Sequence, residues 1–382
     1  MKSLKPSVMI STQRELEVLI ERARSTDCVG LDTEFIWERT YFPKLGLIQL
    51  ALSNEHCYLL DPTTLPDLSP LGNLLSDSGV VKILHDAPQD LMILSRATGA
   101  VPQNIFDTRL AAGFSGLTST ISLSDLISVL LDIDLPKTQT RTDWLKRPLD
   151  AEQIDYALDD VRYLRALRVL LLTRVVEPEV KCWLAEEMER IGRPESFNNI
   201  EDRLRYTKIK GGGSLDRYSL AVLRELAAWR EQEARHRDRP RGHVLDDKTL
   251  VALSRRQPSS VNELEETGIL SAKKMRLYSG QVLHCITTGL AADAGTLPPP
   301  QRPIRLNVSE KQLHERFTRY LETTCMRLGI DTHIVGTSSQ FKQLVKGLRG
   351  DRSAVPKQLN SGWRKILLDE FVSLHRRNSA QR

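Results

Sequence analysis

In the segment VGLDTEF two acidic residues, Asp32 and Glu34, stand one position apart. A strand repeats every two residues, so both carboxylates point to the same face. Side by side in an otherwise apolar strand they are costly unless a cation compensates them. Oxygen-only donors of this kind suit a hard divalent ion such as Mg²⁺ or Mn²⁺, although a strand end that reaches solvent, or that pairs with Arg or Lys, has the same pattern. A third carboxylate, Asp90 in HDAPQDLMIL, falls in the first turn of a helix that follows a strand ending at His85. Asp86 competes with it, but its place before Pro88 reads as a helix cap. His85 is a candidate ligand or substrate contact, set against the structural role histidine usually has at a strand end. Asp160 follows Tyr156 by four residues, which sets a phenol and a carboxylate a turn apart on one helix face. Asp155 and Asp159 beside them read as solvated acids.

Taken together, DTE, H(x)4D and Y(x)3D are far more specific than any one part, and they resemble the DEDD superfamily of 3′–5′ exonucleases, in the subgroup with tyrosine in its third motif. RTYFPKLGLIQLA after the first motif and TDWLKRPLDAEQIDYALDDVRYL around the third are similar to the ribonuclease D family. LAVLRELAAWREQEARHRDRPRGHVLDD resembles the HRDC domain that follows the nuclease there, and the last 75 or so residues look like a weaker second copy. The resemblance implies that Asp32, Glu34, Asp90 and Asp160 bind two divalent ions, Mg²⁺ or Mn²⁺, and that Tyr156 positions or helps to deprotonate the attacking water. The chemistry fits independently: two metals roughly 4 Å apart can activate water on one side of a phosphodiester and stabilise the leaving oxygen on the other. A phenol's ordinary pKa is near 10, which favours orientation of the water over outright base catalysis. The implied substrate is RNA with a free 3′ end, tRNA precursors above all, shortened one nucleotide at a time to 5′-mononucleotides. A DNA 3′–5′ exonuclease is the alternative within enzymes, because HRDC-like modules also accompany DNA helicases. A non-catalytic RNA-binding scaffold is the alternative outside them, and the intact carboxylates argue against it.

The flanks supply secondary candidates. Phe35 follows the first motif and could wedge a terminal base by stacking, or pack on the sheet. Trp144, Lys146 and Arg147 precede the third motif and could meet the substrate backbone, while Trp144 could equally anchor its loop. Lys208, Lys210, Arg237, Arg239, Arg241, Lys273, Lys274 and Arg276 are candidate phosphate contacts.

Several elements must hold these groups. STQRELEVLIERARS carries the capping pair Thr12 and Glu15, then Leu16, Leu19, Ile20 and Ala23 on one helical face. DCVGLDTEF, GLIQLALS, EHCYLLDP and VVKILHD read as strands, followed by a helix from Pro88 stopped by Gly99, a short NIFDT strand, and helices near Leu110 and over Leu123 to Leu131. A long helix is expected to start at Asp150, capped with Gln153, and to run through IDYALDDVRYLRALRVLLL. Strands first, then alternating strand and helix, imply a layered α/β domain with a mixed sheet, a ribonuclease H-like architecture by the resemblance. Beyond about residue 205 no strand-like alternation appears: YTKIKGGGS reads as a flexible linker, and AADAGTLPPPQRP as a semi-rigid connector between two all-helical units. Val244, Leu250 and Leu253 share their spacing with Val335, Phe341 and Leu344, a faint sign of duplication. The resulting division is 1–205, nuclease; 206–290, first HRDC-like domain; 291–306, Pro-rich linker; 307–382, second HRDC-like domain.

With 382 residues, 40% hydrophobic and 27% charged, the chain can bury more than one core. Residues 1–205 hold 23 Lys+Arg against 31 Asp+Glu, a net of −8, and residues 206–382 hold 31 against 18, a net of +13. A basic half attracts polyanions through a sequence-independent field. No apolar run approaches the roughly 18 to 20 residues of a membrane span, and Met1 to Ser11 lack the apolar core of a secretory signal. Five scattered cysteines (28, 57, 182, 285 and 325) suit neither a disulfide framework nor a metal knuckle. The expectation is a cytoplasmic monomer, with no membrane and no obligate protein partner.

Overall fold

Strands that are apolar on both faces form a sheet covered on both sides. Cys28–Ile36, Lys44–Ala51 and Cys57–Leu60 are of this kind: Val29, Leu31, Leu47, Ile48, Leu50, Leu59 and Leu60 are fully buried. A computed structural model describes residues 8–135, 142–197, 201–299, 304–349 and 355–380. In it these runs are strands β2, β3 and β4, joined by β1 (Val8–Ile10), β5 (Val81–Leu84) and β6 (Ile105–Asp107) in the order β1-β4-β3-β2-β5-β6. β3 and β4 run antiparallel, whereas β2 with β5, β5 with β6 and β1 with β4 run parallel, so the sheet is mixed, as expected. β1 lies in a segment that the sequence pattern does not mark as a strand.

Helices cover both faces. α1 (Gln13–Arg24) opens on the Thr12–Glu15 capping box and buries the four residues its spacing predicts. With α2 (Ser69–Leu75) and α3 (Pro88–Thr98) it packs on the face formed by Val29, Leu31, Ile48, Leu50 and Leu84. The other face, with Cys28, Leu47, Leu59 and Ile83, takes α4 (Thr108–Gly113), α5 (Leu123–Leu131), α6 (Ala151–Arg162), α7 (Leu164–Arg174) and α8 (Pro178–Ile191). α9 (Pro194–Phe197) is a single turn. The long helix expected from Asp150 is therefore two helices. Tyr163, at φ −97 and ψ −6, ends one and starts the next, although the apolar spacing runs on through the break.

The described residues form two compact units. The first joins those of Met1–Phe35 and Leu45–Phe197 to those of Ile304–Arg382. Its last helices, α15 (Val308–Leu328), α16 (Thr332–Val335), α17 (Ser338–Arg349) and α18 (Gly362–Ala380), extend the core on the α6 side of the sheet with Phe317, Leu321, Trp363 and Phe371. Trp363 is fully buried, stacks on Trp183 at 5.4 Å and donates its indole N–H to Glu187 at 2.9 Å. Glu187 also accepts from Arg364, whose remaining N–H groups reach the carbonyls of Val335 and Ile334 at 2.9 and 2.8 Å. Burial opposes the ionised Glu187, and hydrogen bonds from Arg364, Arg190 and Trp363 overcome it, holding the carboxyl below its ordinary pKa.

The second unit comprises Ile36–Lys44 and the described residues of Asn198–Pro303. α10 (Arg217–His236), α11 (Arg241–Val244), α12 (Asp247–Arg256), α13 (Val261–Glu266) and α14 (Ala272–Leu290) enclose its core. YTKIKGGGS, expected to be flexible, lies within the 3₁₀ turns Asp202–Lys208 and Gly212–Ser214 and their junction, because Tyr206 and Ile209 are apolar enough to bury there. The connector is held up to Pro298 by Arg217 and Arg224, which donate to the carbonyls of Leu297 and Thr296 at 3.0 and 2.9 Å; residues 300–303, with two of its four prolines, lie outside the described residues. The first helical stretch has helices of 20, 4, 10, 6 and 19 residues and the second of 21, 4, 12 and 19. Among the described residues no helix is long and apolar enough to cross a membrane.

Candidate active site

Cys28 packs on the α6 side of the sheet and Val29 and Leu31 on the α3 side. By alternation Asp32 and Glu34 emerge toward α6 and Thr33 toward α3. α6 approaches β2 closely because Gly30 has no side chain: a Cβ there would sit 3.0 Å from the Val161 carbonyl and 3.4 Å from Leu164. The helix starts where Asp150 and Gln153 accept each other's backbone N–H groups at 2.8 and 2.9 Å. From that start Tyr156 and Asp160 fall a turn apart. Ligand oxygens of Asp32, Glu34 and Asp160 lie within 4.8 Å of one another.

Three carboxyls this close resist ionisation. Burial, then the charges of Asp90, Asp160 and Glu34, push Asp32 well above its ordinary pKa. Burial and the charges of Asp160 and Asp90 take Glu34 to about 9, and burial with the charge of Asp159 takes Asp160 to about 7. The site is thus short of positive charge, and its donors are all oxygens. Hard divalent ions meet both conditions, so the residues fit such a group.

Asp90 arrives from the other face of the sheet. It is 8% exposed and accepts a short hydrogen bond from the Thr33 hydroxyl; burial raises it to about 6 despite that bond. Its charge is felt at Asp32 and Glu34, while its oxygens lie outside the set of three. Asp86 does not cap α3. The N-cap is Ala87, Asp86 sits in the left-handed region at φ 62, and its carboxylate pairs with Arg109. Two residues that the motifs do not flag do this local work. Thr33 holds Asp90, and the buried Asp107 accepts from the backbone of Asp86 and Ala87 at 3.1 and 2.9 Å and from Arg109 and Leu110 at 2.8 and 3.2 Å. A carboxylate at the end of a neighbouring strand was the available signal for Asp107.

Tyr156 is hydrogen-bonded to Asp160, and burial plus the charges of Asp160, Glu34 and Asp32 push its phenol above the ordinary range. It stays protonated at neutral pH. Trp144, a candidate substrate contact, is instead 3% exposed, with its ring 6.2 Å from that of Tyr156. It backs the tyrosine, and Gly46 makes room for it: a Cβ there would lie 2.7 Å from the Trp144 carbonyl. Arg147 is also occupied, donating to both Asp61 oxygens at 2.6 and 2.7 Å and to the carbonyls of Gly46 and Trp144 at 2.7 and 2.8 Å. His85 Nε2–H donates to the Ile121 carbonyl at 3.2 Å and Nδ1 pairs with the Thr108 hydroxyl at 2.9 Å; burial lowers it to about 4, so the ring is neutral and internally satisfied. Phe35 is half-buried at the end of β2, two residues before the chain leaves the first unit's strand for the loop at Trp37.

In the helical unit Arg237, Arg239, His243, Lys273 and Lys274 line a cavity of about 320 Å³ together with Tyr278, whose ring carries the Arg237 guanidinium at 5.5 Å. Lys208 and Lys210 are exposed on the preceding turn.

The chain is similar to known proteins over its length. A family model described as 3′–5′ exonuclease matches residues 7–175, and one described as HRDC domain matches residues 219–286. Ribonuclease D of Desulfotalea psychrophila is 46% identical over 98% of this chain and 99% of its own, and ribonuclease D of Escherichia coli is 30% identical over 95% and 96%. The crystal structure of E. coli RNase D superposes with a TM-score of 0.83 over 98% of this chain and 99% of that one, at 27% identity.

Proposed function

The chain belongs to the ribonuclease D family of 3′–5′ exoribonucleases, and from there we propose that it trims tRNA precursors at their free 3′ ends, one nucleotide at a time, releasing 5′-mononucleotides. The observation that carries this is the convergence of Asp32, Glu34 and Asp160 beside Tyr156. Divalent metal is the family's cofactor class. Asp32, Glu34, Asp90 and Asp160 would hold two Mg²⁺ or Mn²⁺ ions, which when bound lower the pKa of water and neutralise charge on the phosphodiester.

The protein's own groups do the rest. Tyr156, protonated and directed at Asp160, has its lone pairs left to accept from an incoming water and so fixes the line of attack. Trp144 behind it keeps the phenol from swinging away. Residues 1–205 carry this chemistry, and the helical module 206–290 grips RNA through Arg239, Lys273 and Lys274 around the basic cavity, with Lys208 and Lys210 exposed ahead of α10. The module 307–382 follows the linker 291–306. Phe35 meets the terminal base.

The test is a time course on a 5′-labelled tRNA with a 3′ tail and on a matched single-stranded DNA, with Mg²⁺, Mn²⁺ or EDTA. Stepwise, metal-dependent shortening of the RNA is expected, with DNA resistant. Equal digestion of DNA would favour the DNA exonuclease, and intact RNA that still binds would favour the scaffold.

A further inference from the structure

The chain does not pass directly from the strand bearing Asp32 and Glu34 to its neighbour β3. It first makes a nine-residue excursion, Ile36–Lys44, that belongs to the helical unit. There it is a strap rather than a loose loop. The Tyr41 ring is 5% exposed within the unit's core, among Tyr206, Leu223 and Leu226. Its hydroxyl donates to Glu231, itself 1% exposed and paired with Arg241 at 2.8 Å and Arg205 at 3.2 Å. The backbone N–H groups of Tyr41 and Phe42 both donate to Asp238 Oδ1, at 3.0 and 3.2 Å. The Trp37 indole closes the strap on itself by donating to the Tyr41 carbonyl at 2.8 Å.

A buried acid such as Glu231 is costly to maintain, whereas Asp238 is exposed; both serve the strap, beside the packing of Tyr41 and Phe42 on the core. What the strap gains is a fixed end. The terminal residues of a strand fray when the following loop is unpinned, and a carboxylate that serves chemistry needs its backbone held to within about 0.5 Å. Glu34 is two residues from the strap.

We propose that Glu231 and Asp238 are positioning residues for hydrolysis: by clamping Tyr41 and Phe42 they fix the strap that continues the catalytic strand. The helical unit then contributes to the chemical step through chain continuity, besides any grip it has on RNA. The proposal rests on Asp32 and Glu34 being the catalytic pair, and full activity in Asp32→Asn would overturn that assignment as a separate result.

The full-length protein is assayed on 3′-tailed RNA with saturating Mg²⁺, reading kcat and KM separately, alongside the unfolding midpoint. Asp238→Ala and Glu231→Ala are expected to lower kcat at least fivefold with KM within twofold, and Glu231→Gln, which keeps an oxygen for Tyr41, to recover most of that loss. Two glycines inserted between Glu38 and Arg39 leave every clamp contact and every carboxylate in place while slackening the connection, and should lower kcat equally. Wild-type kcat in the insertion variant overturns the proposal even where Asp238→Ala unfolds early. A raised KM at unchanged kcat also overturns it, assigning the strap to RNA grip.

Discussion

At the scale of single residues the site is governed by charge that the chain does not neutralise. Glu34 near 9 and Asp160 near 7 keep protons that the unfolded chain would release near 4. Over that window the native state binds more protons than the unfolded one, so stability without metal falls as pH rises from about 5 to 9. A divalent ion reverses this by displacing the protons. Melting curves at pH 6 and pH 8.5 should therefore show the larger Mn²⁺-induced rise at the higher pH; equal rises would refute the account. Asp32→Asn should cut hydrolysis by roughly a thousandfold or more, on the scale of lost transition-state charge stabilisation, while filter binding reports RNA affinity within about twofold. Tyr156→Phe keeps the ring against Trp144 and removes only the hydroxyl, so kcat should drop on the order of 10²-fold, the low end for a proton-handling group. These carboxylates were legible in the sequence because strand and helix periods fix which side chains share a face. Asp86 was not: its position before Pro88 resembles a cap, and only the contact with Arg109 distinguishes the two roles.

Elements decide whether those residues meet. β2 sends Asp32 and Glu34 to one side and Thr33 to the other, so the site draws on helices from both faces at the end of one strand. The two glycines that permit close approach, Gly30 under α6 and Gly46 under Trp144, act at this level. Gly46→Ala puts a methyl into the Trp144 backbone, and overpacking of this kind costs about 1–3 kcal/mol. Calorimetry should show the lowered midpoint, with kcat falling further than stability alone explains because Tyr156 loses its backing. The capping boxes at Thr12 and Asp150 could be read directly, since each is a local pattern. The break at Tyr163 could not, because Val161, Leu164 and Leu167 keep helical spacing across it and only the backbone angles of one residue differ.

At the scale of the whole molecule, charge and core divide the chain differently. The basic excess belongs to the second half of the sequence, and its clustering around Lys273, Lys274 and Arg239 yields a direct expectation. Reversing all three to Glu should flatten the dependence of RNA affinity on salt by a slope of about 2, at roughly 0.7 for each phosphate that a single strand no longer has neutralised. An unchanged slope would remove the cavity from RNA binding. The core, by contrast, unites the nuclease with the last helical stretch, and composition gave no hint of it. Pairs such as Glu187 with Arg364 join residues far apart in sequence and leave no periodic trace. Trp363→Ala should cost about 3–5 kcal/mol and lower the midpoint of the first unit as one transition.

That shared core has a bearing on synthesis. Ribosomes add roughly 5–20 residues per second, so the helix bearing Tyr156 and Asp160 emerges about ten seconds or more before Trp363 and Phe371, which finish the cluster it packs in. Until those side chains arrive, the helix bearing Tyr156 and Asp160 lacks part of the cluster it packs in, so its environment is completed by residues made some 200 positions later.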